Sequence, residues 1–278
     1  MKKLVLLCSL LGFLGSLSRT QAQEYSAGAE QVVNIWEEVG DTAMRPQTRL
    51  HVFLPQGGTA QGLRSVLILP GGGYSGLAMG HEGTDWADFF CRRGVAVFVL
   101  EYRMPRGCSD VPFNDVRQAL RVVRARAEAW GLDARKVGIM GSSAGGHLAA
   151  TAVAWLPAEE RPAFQILFYP VVTMEAGVTH RGSRENLLGH DADAARVDHY
   201  SLERHVRADF PPTFIALSND DDVVPPRNGV QYYAALQEAG VRVSLHVYPE
   251  GGHGWGYREN FSWHEVMVGE LSYWLEHM

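Results

Sequence analysis

Within 278 residues, the run Gly141-Ser142-Ser143-Ala144-Gly145 holds the side chain best placed for covalent chemistry. A serine hydroxyl attacks a carbonyl only when a base takes its proton and its oxygen stands clear of the backbone. The apolar stretch Val137-Gly138-Ile139-Met140 comes first and small residues follow, so the spacing predicts a strand turning sharply into a helix with the serine at the turn. Two serines compete for that place. Ser143 has Gly141 and Gly145 two residues away on either side, which bring no side chain into the turn, whereas Ser142 would have Met140 and Ala144. Sterics select Ser143.

The base and its orienting acid should each sit on a loop after a strand. Gly252-His253-Gly254 follows a strand expected over residues 241–248, and the glycines let the backbone swing the ring over the serine. His147, one turn past the serine, reads as packed against a sheet, and His246 falls inside a strand. His180, His190, His199 and His205 lie in an irregular segment where exposure is the default. Three adjacent carboxylates, Asp220, Asp221 and Asp222, follow a strand expected over 213–218. Asp221 is preferred as the partner of His253, with Asp222 second; a solvated turn or a weak cation site would use the same run. Donors for a developing oxyanion are expected from the amides of Gly72 and Gly73, in Pro70-Gly71-Gly72-Gly73-Tyr74, and from the amide of Ala144. No Gly-Lys-Ser/Thr follows those glycines, which argues against a phosphate-cradling loop.

These residues need a sheet to converge on. Strands are expected over 49–54, 65–69, 95–101, 137–140, 164–169, 213–218 and 241–248. Helices are expected over 114–130, 144–154, 229–238 and 263–276. In the helix at 114–130, Val116, Ala119, Leu120, Val123, Ala127 and Trp130 share a face while Arg117, Arg121, Arg124 and Arg126 take others, which reads as a solvated side. The alternation predicts an α/β class: a mostly parallel central sheet with helices on both faces. Between Tyr169 and Pro211 the periodicity fails, as expected of a small cap or insertion over the carboxyl edge of the sheet.

Lys2 and Lys3, an apolar run over 4–17 and Thr20-Gln21-Ala22 read as an export signal over residues 1–22, leaving one domain over 23–278. The run is too short for a comfortable membrane span. Cleavage removes three basic residues and no acid, moving the formal charge from −6 to −9. So acidic a chain is a poor partner for nucleic acid or an anionic membrane, and the expected location is secreted or periplasmic. Cys91 and Cys108 would remain, either bridged or as separate, partly buried thiols. No metal or cofactor is expected.

The chain resembles the secreted bacterial acetylxylan esterases and their hormone-sensitive-lipase-like relatives, carbohydrate esterases of the α/β-hydrolase fold. The resemblance spans most of the mature chain. It rests on Leu69-Pro70-Gly71-Gly72-Gly73-Tyr74, His81-Glu82-Gly83, Val99-Leu100-Glu101-Tyr102-Arg103, residues 138–147, Phe168-Tyr169-Pro170, Leu187-Leu188-Gly189, residues 221–225 and Gly252-His253-Gly254. It implies Asp221 as the catalytic acid, because that family's aspartate stands four residues before a proline, here Pro225. Pro70 replaces the histidine usual in the lipase-like relatives, which weighs against a lipid ester and leaves the backbone donors intact. The resemblance alone implies acetate as the acyl group, and it suggests that His81 and Glu82 help shape the site.

The expected activity is that of an exported serine esterase acting on acylated carbohydrate, with Tyr74 and Trp255 as flat faces for a sugar ring or else as core. A feruloyl or general short-chain carboxylesterase is the nearest alternative. A peptidase of the prolyl-oligopeptidase type would share the residue order, but 278 residues leave no room for its usual β-propeller. A non-catalytic glycan-binding protein would have no need to keep all three catalytic positions filled.

Overall fold

The computed structural model describes residues 25–37, 46–58 and 60–278. The export signal expected over residues 1–22 lies outside the described residues.

In chain order the strands are β1 (Ser26–Ala27), β2 (Gln31–Asn34), β3 (Arg49–Phe53), β4 (Pro55–Gln56), β5 (Leu63–Leu69), β6 (Val95–Leu100), β7 (Leu132–Ser142), β8 (Gln165–Phe168), β9 (Thr213–Ser218) and β10 (Val243–Tyr248). The helices are α1 (Trp86–Cys91), α2 (Asp110–Ala125), α3 (Ser143–Trp155), α4 (Arg181–Leu188), α5 (Ala194–His199), α6 (Arg227–Glu238) and α7 (His264–His277). Eight strands form one sheet in the order β10-β9-β8-β7-β5-β6-β3-β2. All pairings from β10 to β6 are parallel, and β3 and β2 join antiparallel at one border. β1 and β4 pair separately.

The continuous apolar runs of β5 and β6 follow from burial on both faces of the sheet. Val66, Ile68, Val97 and Val99 point into one core cluster with Phe89 and Phe90 of α1 and Met267 and Leu271 of α7. Leu67, Leu69, Phe98 and Leu100 point into the other, with Val116, Leu120 and Val123 of α2, Leu148 of α3 and Leu236 of α6. Each such side chain contributes about 1.5–3 kcal/mol by leaving water.

Helix α2 begins at Asp110, with Pro112 in its first turn where a missing N–H costs nothing, and ends at Ala125. The remainder of the expected helix is a tight turn over Glu128–Trp130. Its arginines are not simply solvated. Arg117 and Arg121 reach Glu160 at 2.6 and 2.7 Å, and Arg124 donates to the carbonyls of Glu160 and Arg161. That ties the helix to the loop after α3. The aperiodic stretch from 169 to 211 contains α4, α5 and a short turn over Leu202–Arg204. Cys91 is buried and Cys108 exposed, both as free thiols, so the bridge is not formed. Among the described residues no helix is long and apolar enough to cross a membrane.

Candidate active site

Strands β5, β7, β8, β9 and β10 run parallel, so the loops that follow them open on one edge of the sheet. Ser143 follows β7 at φ 52°, and the glycines around it are required by space: a Cβ on Gly141 would stand 2.2 Å from the Gly145 carbonyl oxygen, and one on Gly145 2.0 Å from that of Leu69. Four non-glycine residues among those described hold positive φ. Three of them, Tyr74, Ser143 and Tyr169, sit just past the ends of β5, β7 and β8. Such backbone costs about 1–3 kcal/mol per residue and persists only where the surroundings impose it.

The structure brings Ser143, His253 and Asp221 together. The Ser143 hydroxyl donates to His253 Nε2 at 2.9 Å, and His253 Nδ1–H donates to Asp221 Oδ2 at 2.7 Å. The other oxygen of Asp221 accepts from the amides of Val223 and Val224 at 3.0 and 2.9 Å, which fixes the carboxylate. Asp220 accepts from the amides of Gly252 and Gly251 and so holds the histidine loop, while Asp222 is exposed. The Tyr169 ring meets His253 edge-on at 4.7 Å.

Gly72 and Gly73 carry φ 137° and 63° on the loop after β5, and among the described residues neither amide has an acceptor. Ala144 lies in the first turn of α3, where amides have no intrahelical acceptor. The loop is anchored from beneath. Gly71 N–H donates to Glu82 Oε2 at 2.7 Å, and Tyr74 O–H donates to His147 Nδ1 at 2.9 Å. The other ring nitrogen of His147 donates to the Tyr200 carbonyl, and burial pushes its pKa down to about 4 against that hydrogen bond.

Several expected substrate contacts lie elsewhere. Tyr74 is buried beneath the glycine loop and offers no face to a sugar, because its hydroxyl is spent on His147. Trp255 is core as well: it stacks on Phe261 at 4.3 Å and its Nε1–H donates to Ser218 Oγ at 2.9 Å. The His81 ring meets Arg258 at 3.4 Å, and its carbonyl accepts from the Tyr257 amide. Glu82 is buried, and besides Gly71 it accepts the Tyr169 hydroxyl at 2.8 Å. Both residues shape the site through the loops they hold. Arg103 instead pairs with buried Asp115.

Sequence reasoning missed two residues of the insertion. Asn186 Nδ2 donates to the Gly73 carbonyl at 2.8 Å, and His180, expected to be exposed, is half-buried against the same glycine loop. Asn186 lies on α4 and His180 caps that helix, but the segment's mixture of Gly, Asp, Arg and His shows no clear period in the sequence.

A family model described as alpha/beta hydrolase fold matches residues 66–256. The chain belongs to the α/β-hydrolase family. It is 42% identical over 228 residues to an acetylxylan esterase of Xylanibacter ruminicola, covering 81% of this chain and 47% of that protein. It is 33% identical over 204 residues to endo-1,4-beta-xylanase B of Butyrivibrio fibrisolvens, covering 68% of this chain and 32% of that one. The chain therefore spans half or less of these curated relatives. Among solved structures, the acetyl ester-xyloside bifunctional hydrolase of Caldicellulosiruptor lactoaceticus superposes with a TM-score of 0.81 at 29% identity, covering 88% of this chain and 95% of that one.

Proposed function

We propose that the chain is an exported serine esterase, with one catalytic domain over residues 23–278, that removes acetyl groups from carbohydrate such as xylan. One observation carries the reading: a serine hydroxyl 2.9 Å from an imidazole whose far nitrogen lies 2.7 Å from a fixed carboxylate, beside free loop amides. The Ser143 proton passes to His253 Nε2 as Oγ bonds to the ester carbon, and the carbonyl electrons move onto oxygen. The amides of Gly72, Gly73 and Ala144 receive that charge, at about 3–4 kcal/mol per donor. Asp221 steadies the imidazolium. Collapse of the adduct expels the sugar oxygen, which takes the proton from Nε2. Water then repeats the sequence on the acetyl-serine and releases acetate.

Likeness to an acetylxylan esterase and to an acetyl ester-xyloside hydrolase supports acetylated carbohydrate as substrate. An uncharged glycan also suits a chain whose formal charge is −6, and −9 once residues 1–22 are removed. Acetate release from acetylated xylan by the wild type, lost in Ser143→Ala, is the expected result. A wild type that cleaves butyryl or feruloyl esters and leaves sugar acetates intact would refute the substrate class. A mature N-terminus at Gln23 tests export separately.

A further inference from the structure

The catalytic steps above leave His180 unused, although it stands at the site. It caps α4: its Nδ1 accepts from the Ser183 amide at 3.2 Å and lies 2.9 Å from Ser183 Oγ. An accepting Nδ1 leaves the ring proton on Nε2, so the cap fixes the tautomer. That Nε2–H has no acceptor among the described residues, and the ring is half-exposed. Its Cε1 lies 3.5 Å from where a Cβ on Gly73 would stand, which sets the ring against the glycine loop. The ring also feels the charges of His253 and Asp221; burial first, then His253, hold it below the usual imidazole range, and Asp221 offsets part of this. Asn186, further along α4, bonds the Gly73 carbonyl and keeps helix and loop in register.

The ring thus lies against Gly73, whose amide is assigned to the oxyanion, and feels the charge of His253, which must hand its proton to the leaving oxygen. We propose that His180 is a specificity-determining residue, presenting Nε2–H to an oxygen of the leaving sugar next to the ester. The inference rests on the esterase reading above. A neutral donor of fixed direction suits an uncharged hydroxyl or ring oxygen, whereas lysine or arginine there would favour an acidic group.

His180→Asn separates this role from the structural one, because asparagine caps a helix as well and lacks the distal donor. His180→Asp caps too and presents only acceptors there, which provides a second test. In each variant the ratio of kcat/KM for acetylated xylobiose to that for p-nitrophenyl acetate should fall about three- to tenfold, mainly through KM. An unchanged ratio overturns the inference and leaves the esterase reading standing. A wild type that turns over p-nitrophenyl acetate and no sugar acetate overturns the substrate class, and the role of His180 with it.

Discussion

The Tyr169 hydroxyl donates to Glu82 Oε1 at 2.8 Å and accepts the Gly256 amide at 2.8 Å, so a single phenol joins the glycine loop's anchor to the histidine loop. Glu82 completes the link by accepting from Gly71 N–H. Both of its oxygens are therefore acceptors for different loops. In Glu82→Gln one of the two must face an amide N–H₂ instead, and the loops shift apart. We expect kcat to fall on the order of 10- to 100-fold with a smaller change in KM. Stability should drop by about 2 kcal/mol. Steady-state kinetics beside a urea titration check both, and an unchanged kcat would refute the link.

Ser143 sits in left-handed backbone, which an L-residue adopts at a cost of about 1–2 kcal/mol relative to glycine. Ser143→Gly and Ser143→Ala should both be inactive, and the glycine variant should be the more stable by about 1 kcal/mol. Thermal melts of the pair measure the strain. Equal melting temperatures would mean the turn stores none.

His147 is buried and neutral, with its pKa pushed down to about 4 from a usual 6.5. The unfolded chain takes up a proton on this ring near pH 6.5 and the folded chain does not until near pH 4. Stability from this residue is complete above pH 6.5 and drains as pH falls toward 4, up to about 3 kcal/mol in all. Urea midpoints at pH 7 and pH 5 should differ accordingly. His147→Gln should flatten that dependence while lowering stability at pH 7.

Trp255 supports the histidine loop through stacking on Phe261 and a hydrogen bond to Ser218. Trp255→Phe keeps a ring and loses the N–H, leaving a buried hydroxyl without its donor. The expected cost is about 1–2 kcal/mol in stability. KM for a sugar acetate should stay within about twofold, because the ring does not face substrate. A selective rise in KM for sugar esters would restore the platform reading.

The central strands were legible because burial on both faces leaves a run such as Val95 to Leu100 with no polar residue in it. The serine turn was legible because its glycines answer a steric demand readable two residues away on either side. Tyr74 and Trp255 stayed open between a sugar platform and core for a general reason: an aromatic beside a reactive motif has the same local sequence whether it faces solvent or core, and only tertiary contacts decide. Helix α1 escaped notice because Trp86, Ala87, Phe89, Phe90 and Cys91 are buried nearly all round, which erases an amphipathic period. His180 escaped because its place beside the glycine loop comes from a helix cap and from a loop distant in sequence.

The serine rises from β7, flanked by strands on both sides, whereas the histidine hangs from β10, an edge strand that among the described residues has only β9 beside it. Warming should loosen that margin first. The proton relay would then come apart at its imidazole end while the bulk of the sheet is still intact, so heat should silence turnover several degrees before circular dichroism registers any melting.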